Sequence, residues 1–338
     1  MRFATSAPPH LGSGYSTPLL MRSVTLALIP GLAASLLWFG PGVLLQLLLC
    51  IVTALGMEAL VLLLRRRSLR PRLDWSAILT ASLLALSIPP LAPWWIAVTG
   101  AAFAILFGKQ LYGGLGFNPF NPAMLAYAVL LVSFPRQMTH WAPPLALALQ
   151  DAGWLDIWQQ IIHHSDAMDA YTMATPLDSM KTQLGQGRTL HVIQEDAIYS
   201  PLAGKGWQSV NLGFMLGGLW LWRHKLIGWQ IPSAFLGSLT LLSMGFFVFA
   251  PGEYPTPLFH LLSGGTMLGA FFIATDPVSA STTPLGRLIY GALIGCLVFI
   301  IRTFGGYPDA VAFSVLLMNL VAPTLDYYTQ PRVYGKPR

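Results

Sequence analysis

This chain of 338 residues contains ten apolar stretches, each about 15 to 22 residues long. They lie at 22–39, 43–64, 75–91, 93–110, 117–134, 209–223, 229–250, 257–275, 284–303 and 308–325. A helix of about 20 apolar residues crosses the hydrocarbon core of a bilayer. Only 9% of the residues are charged, whereas soluble domains contain about 25%. The pattern predicts an all-α polytopic membrane protein with about ten transmembrane helices, folded as one integral-membrane domain over residues 1–338.

The basic residues indicate how these spans are oriented. If the N-terminus is cytoplasmic, 14 of the 19 Lys and Arg residues fall on the cytoplasmic side. The five on the other side are Arg136, Lys181, Arg188, Lys205 and Arg302. Because cytoplasmic loops carry the excess of Lys and Arg, we expect both termini in the cytoplasm and the 135–208 connection on the periplasmic face. The net charge of +6 therefore reports topology and does not favour nucleic-acid binding.

Five spans precede the long periplasmic loop and five follow it, so the two halves have opposite orientations. This is the arrangement of a 5+5 inverted repeat. The third span is short and stopped by Pro89-Pro90, and the eighth contains Gly264, Gly265 and Gly269. Interrupted spans at matching positions favour a central binding site. Close helix packing through small residues is the alternative explanation.

A polar island, Asp169–Leu177, stands in the long loop. Thr175, followed by Pro176 and by Asp178 two positions later, predicts a helix N-terminus with Thr175 as the N-cap. A helix N-terminus stabilises a phosphate through unpaired N–H groups and the positive end of the helix dipole. The spacing alone leaves open that Thr175 is only a cap.

The same segment resembles the flavin-attachment sequence of the Rnf/Nqr family of membrane redox subunits, roughly Asp-x-x-Ser/Thr-Gly-Ala-Thr. Asp169, Thr172, Ala174 and Thr175 match it, and Met173 departs from the common glycine. The resemblance implies FMN joined covalently through its phosphate to Thr175 by a separate flavin transferase. It also implies that Asp169 and Thr172 are recognition determinants for that transferase.

Two further segments, Gly113–Ala123 and Gly269–Ser279, look like the RnfD/NqrB family. Asn118, Asn121 and Asp276 lie in them, and our topology places these side chains at the cytoplasmic mouth. They are candidates for lining a second redox or ion site. Each asparagine precedes a proline and is expected to stop a helix, so the alternative is that these segments are only helix-breaking turns between spans.

Glu58 is the one carboxylate well inside an apolar run. Intramembrane carboxylates are costly and often functional, so Glu58 is a candidate for an ion pathway. The alternative is that it pairs with Arg65, about two turns away, or extends to the interface. No cluster of His, Cys or acidic residues predicts a metal site, and no pattern predicts a catalytic residue.

The resemblance covers about residues 20–328. It implies a redox subunit of an ion-translocating ferredoxin/NAD(H) oxidoreductase complex in a bacterial inner membrane, not catalytic alone, with electron transfer coupled to Na⁺ or H⁺ movement. It further implies membrane lipid, a second flavin-carrying subunit and other subunits as partners, and allows a second, non-covalent flavin such as riboflavin. Ten spans in a 5+5 arrangement also suit a small-solute channel or secondary transporter. A purely structural scaffold is a third reading.

Overall fold

The structure, a computed structural model, describes residues 16–66, 75–147, 154–163, 172–307 and 309–330. Every regular element across these ranges is a helix. The β-type pairings found there are two isolated bridges, Trp141 with Met173 and Tyr199 with Gly204. The prediction of an all-α polytopic membrane protein is confirmed.

The helices fall into two membrane groups joined by a group of short helices. The first group comprises α1 (Thr17–Ala27), α2 (Ile29–Phe39), α3 (Gly42–Leu64), α4 (Ser76–Ala85), α5 (Trp94–Phe103), a π-helix (Ala104–Gln110) and α6 (Pro122–Ser133). The connection comprises α7 (Pro135–Thr139), a 3₁₀ turn (Leu145–Leu147), α8 (Trp154–His163), α9 (Pro176–Gly185) and α10 (Leu190–Gln194). The second group comprises α11 (Trp207–Arg223), α12 (Gln230–Phe249), α13 (Pro257–Leu262), α14 (Thr266–Leu268), a second π-helix (Gly269–Ile273), α15 (Pro284–Phe304) and α16 (Val311–Tyr328).

Each of the ten predicted spans contains helix, but the third is helical only over Ser76–Ala85 and the fifth only over Pro122–Ser133. Within the part of the chain that the structure describes, five stretches are long and apolar enough to cross a membrane by length and composition. They are Thr17–Phe39, Gly42–Leu64, Gln230–Phe249, Pro284–Phe304 and Val311–Tyr328. The other spans are shorter or interrupted. Proline lacks the backbone N–H that a helix needs, and glycine disfavours the helical conformation, so both residues end or break these helices.

The third and eighth spans are irregular, as the sequence predicts. In the third, α4 ends at Ala85, four residues before Pro89. The eighth is divided into α13, α14 and the second π-helix, with a break over Ser263–Gly265. Short π-helical segments inside α-helices are frequently found at functional sites.

Packing between helices repeats in the two halves. In the first half α3 packs against α4 and α5, and in the second α12 packs against α13 and α15. The halves meet through α2 on α11 and α6 on α16. The two contacts between the halves each join corresponding spans, the first span of each half through α2 and α11 and the fifth through α6 and α16. An inverted repeat gives this arrangement.

Glycine allows α11 to approach the kink between α1 and α2. A Cβ atom added to Gly217 would overlap the carbonyl oxygen of Ala27 and lie 3.0 Å from its carbonyl carbon. The backbone of α1 cannot move away without disturbing the kink, so this contact depends on glycine. Gly56 on α3 has no atom within 4 Å of the same position and serves as a comparison.

We predict that Gly217→Ala lowers the free energy of unfolding by about 1–3 kcal/mol, because it overpacks a helix contact. Gly56→Ala is expected to be neutral or stabilising by up to about 1 kcal/mol, since alanine favours helix. Thermal unfolding of both variants in the same detergent measures the difference. Equal midpoints for the two variants would contradict the packing argument.

Candidate functional site

Thr175 begins α9, as the sequence predicts. Its backbone is extended (φ −65°, ψ 156°), and its Oγ1 accepts a hydrogen bond from the backbone N–H of Asp178 at 3.2 Å. Pro176 takes the first helical position, where its missing N–H costs nothing. The hydroxyl that the family resemblance marks for modification is therefore fixed at a helix N-terminus.

Contacts on several sides hold α9 against the membrane helices. The Tyr199 hydroxyl donates to the carbonyl oxygen of Pro176 at 3.3 Å. Lys181 Nζ donates to the carbonyl oxygens of Gly305, at the end of α15, and Tyr307. Leu177, which follows Pro176, is buried in the main hydrophobic core. These contacts set the position of Thr175 relative to the bundle.

A cavity of about 90 Å³ reaches from Thr175 into the bundle. Side chains of α6, α11 and α16 line its depth, and Trp141, Trp207 and Asp178 lie in its wall. The two indole rings pack against each other with centroids 4.9 Å apart. Thr175 thus faces an apolar, aromatic space.

The other residues of the attachment motif are placed differently. Thr172 is half-buried and Ala174 is exposed, both in the extended segment before α9, and neither lines the cavity. The segment is tied down by the Met173 N–H, which donates to the carbonyl oxygen of Trp141 at 2.8 Å. Asp169 lies outside the described residues. The roles of Asp169, Thr172 and Ala174 stay predictions.

Two charged side chains on α9 influence each other near Thr175. Burial raises the pKa of the Asp178 carboxyl, and the charge of Lys181 partly opposes this shift. Burial lowers the pKa of Lys181, and Asp178 partly restores it. The first turn of α9 consequently holds a less strongly ionised carboxylate than an exposed one.

The broken eighth span forms one wall of the cavity. Gly264 and Gly265 line it, and the Gly265 N–H donates to Asp309 Oδ2 at 2.8 Å. Arg302, buried on α15, pairs with Asp309 Oδ1 at 3.1 Å. Sequence analysis did not identify this pair. A cation at the end of an apolar run, such as Arg302, is the signal that could have found it.

A second cavity, of about 70 Å³, brings together the three residues proposed for a second redox or ion site. Asn118, Asn121 and Asp276 all line it, together with Lys109 and Thr275. Asn121 begins α6 and does not stop a helix, because its Oδ1 accepts from the backbone N–H groups of Ala123 and Met124. The expectation that Asn121 terminates a span is wrong.

Glu58 is buried and forms an ion pair with Lys109, Nζ to Oε1, at 2.5 Å. Lys109 Nζ also donates to Ser76 Oγ at 2.5 Å. The alternative in which Glu58 pairs with Arg65 is wrong, since Arg65 donates to the carbonyl oxygen of Gln110. Lys109 lies in the π-helix, which directs its side chain towards α3. The spacing of an ordinary α-helix did not predict its contact with Glu58.

We predict that Glu58→Gln and Lys109→Met each lower the free energy of unfolding by about 3–5 kcal/mol, because each breaks a buried ion pair by removing one of its charges. The double variant should lose less than the sum of the two, since neither charge then remains. Unfolding of the four proteins in one detergent measures the coupling. Additive losses would contradict a direct interaction.

Comparison with known proteins agrees with the resemblance seen in the sequence. A family model described as the NQR2, RnfD, RnfE family matches residues 4–335. The D subunit of the ion-translocating oxidoreductase complex of Aeromonas salmonicida (strain A449) is 53% identical over 349 residues, which cover 99% of each chain. The proteins of the same name from Aliivibrio salmonicida (strain LFI1238) and Escherichia coli O9:H4 (strain HS) are 53% and 52% identical, again over 99% of each chain. The chain therefore belongs to the NQR2, RnfD, RnfE family.

Proposed function

We propose that this chain is a membrane redox subunit of an ion-translocating oxidoreductase complex and carries FMN on Thr175 through a phosphoester. The names of its relatives support the assignment of this chain to such a complex. The observation that best supports flavin attachment is the position of Thr175 Oγ1. It lies at the N-terminus of a ten-residue helix and on the wall of an aromatic cavity. The subunit would lie in a bacterial inner membrane with both termini in the cytoplasm.

The first turn of α9 suits a phosphate. The Asp178 N–H is already directed at Thr175 Oγ1, and the N–H of Leu177 belongs to the same turn, whose amides have no intrahelical partner. Phosphate oxygens on Thr175 would accept from these groups at the positive end of the helix dipole. Lys181, about one and a half turns away, adds positive charge, and Asp178 opposes it.

The cavity beside Thr175 offers a flavin ring an apolar, aromatic wall. A flavin that rests against this wall at the solvent side would be lost readily without a covalent bond, and the phosphoester would prevent this. When bound, the flavin would supply a carrier that takes up one or two electrons.

The capping hydrogen bond alone does not distinguish Thr175 from other threonines that begin helices in this chain. Thr256 and Thr283 also precede proline, and each accepts a hydrogen bond from the backbone N–H three residues later. Only Thr175 of the three lines the aromatic cavity. The motif and the cavity together therefore support Thr175 as the attachment site, and the cap by itself does not.

The second cavity is the proposed location of the coupling function. The carboxylate of Asp276 and the amides of Asn118 and Asn121 would offer ligands to Na⁺, a relay for H⁺, or hydrogen bonds to a second, non-covalent flavin such as riboflavin. The buried Glu58–Lys109 pair contributes charge next to this space. Partners in this proposal are the other subunits, including a second flavin-carrying one, and the flavin transferase.

A small-solute transporter remains the competing function, because the repeat of helix contacts between the halves is also found in transporters. The two functions differ in one observable property. A transporter or a structural scaffold carries no chromophore, whereas the proposed subunit retains a fluorescent flavin after denaturation.

We predict that the denatured full-length chain, co-expressed with a flavin transferase, gives a fluorescent band in an ultraviolet-illuminated gel. Thr175→Ala should give a dark band because the esterified hydroxyl is gone. Thr256→Ala is the matched control, since it also removes a Thr–Pro helix cap at a cost of about 0.5–2 kcal/mol. It should fluoresce like the unmodified chain.

Two outcomes would contradict the flavin proposal. One is a dark unmodified chain beside a known flavinylated protein that fluoresces in the same gel. The other is a fluorescent Thr175→Ala variant, which would place the flavin on another residue. Dark bands from both threonine variants would assign the loss to capping and stability.

A further inference from the structure

A third cavity, of about 600 Å³, is lined by α9 from Leu177 onwards, and Leu177 also lines the Thr175 cavity. It is bounded by α9, by the end of α15 at Thr303–Gly305, and by the 252–255 connection between α12 and α13. These segments are the ends of spans on the face that carries the long loop. The cavity therefore lies at the level of the lipid headgroups on that face.

The lining is unusually basic for this face of the protein. The sequence assigns five basic residues to it, and three of them, Lys181, Arg188 and Arg302, line this one cavity. Glu253 is the carboxylate in the lining. Because Lys and Arg are depleted on the periplasmic side of membrane proteins, three at one cavity indicate a function that requires positive charge.

Neutral oxygens accept most of the hydrogen bonds of these cations, and only Arg302 of the three forms an ion pair with a carboxylate among the described residues. Arg302 is paired with Asp309, but its Nε has no hydrogen-bond partner among the described residues. Lys181 donates to backbone carbonyls, and Arg188 donates to the side-chain oxygen of Gln183 at 3.1 Å. Burial lowers the pKa of Lys181, a cost that a nearby anion would reduce.

The lining also has an apolar part. Leu177, Met180 and Leu184 come from one face of α9, and Phe259 and Phe304 face them from α13 and α15. Phe304 is 59% exposed at the outer edge. A ligand for this space needs an anionic group for the cations and hydrocarbon for the apolar wall, and phospholipids have both.

We propose that this cavity binds the phosphate headgroup of an anionic phospholipid from the outer leaflet. The phosphate would lie among Lys181, Arg188 and Arg302, with the acyl chains leaving past Phe304. The lipid would fill the space beneath α9 and so support the helix that begins at Thr175. This inference uses the predicted orientation of the loop and does not depend on flavin attachment.

The test is native mass spectrometry of the purified full-length chain in neutral detergent, titrated with phosphatidylglycerol or with phosphatidylcholine. We expect tighter binding of phosphatidylglycerol. Lys181→Gln/Arg188→Gln should weaken it by roughly five-fold for each charge removed. The matched control is Arg136→Gln/Lys205→Gln, which removes two charges from the same face but away from the cavity, and it should bind like the unmodified chain.

Arg188→Gln alone keeps the test valid if the double variant does not fold, because Arg188 is exposed and lies outside the helices. Equal weakening in both double variants would overturn the proposal in favour of diffuse surface attraction. Equal binding of the two lipids would overturn anion selectivity. Complete displacement of phosphatidylglycerol by millimolar inorganic phosphate would assign the site to a free phosphate anion and overturn the lipid.

Discussion

The break in the eighth span depends on side chains that satisfy its backbone, because no water is available within a bilayer to do so. Asn211 on α11 donates to the carbonyl oxygens of Leu262 and Gly264 at 3.1 and 2.9 Å, and its Oδ1 accepts from the Met267 N–H at 3.1 Å. Arg302 and Asp309 complete the set. Without this bracing the segment would have to become continuous helix, and the wall of the Thr175 cavity would disappear.

The first half uses a similar device on the other face. Asn121 Oδ1 accepts from the N–H two residues later at the start of α6, and Asp309 Oδ1 does the same before α16. A buried cation on the preceding span accompanies each, Lys109 in one half and Arg302 in the other. The repeat of helix contacts thus extends to polar side chains. The corresponding side chains line two cavities, Asn121 and Lys109 the second cavity and Asp309 the Thr175 cavity.

The sequence predicts those parts of the structure that local chemistry determines. Hydrophobic length located the spans, Pro89-Pro90 marked the end of the third, and Thr175-Pro176 marked the start of α9. It did not predict the pairing of Glu58 with Lys109, since the two are 51 residues apart and a π-helix sets the orientation of Lys109. The bracing by Asn211 and Arg302 was missed for the same reason: a single polar residue in an apolar run does not reveal its distant partner.

Three Thr–Pro helix caps, at Thr175, Thr256 and Thr283, differ in the part of the fold to which their helices belong. All three have the same local sequence, the same backbone conformation and the same capping hydrogen bond. Thr256 and Thr283 begin helices of the membrane bundle, whereas Thr175 begins a loop helix that is packed onto the bundle beside an opening. The segment that resembles the family's attachment motif contains the one of these three Thr–Pro caps whose helix belongs to the long loop.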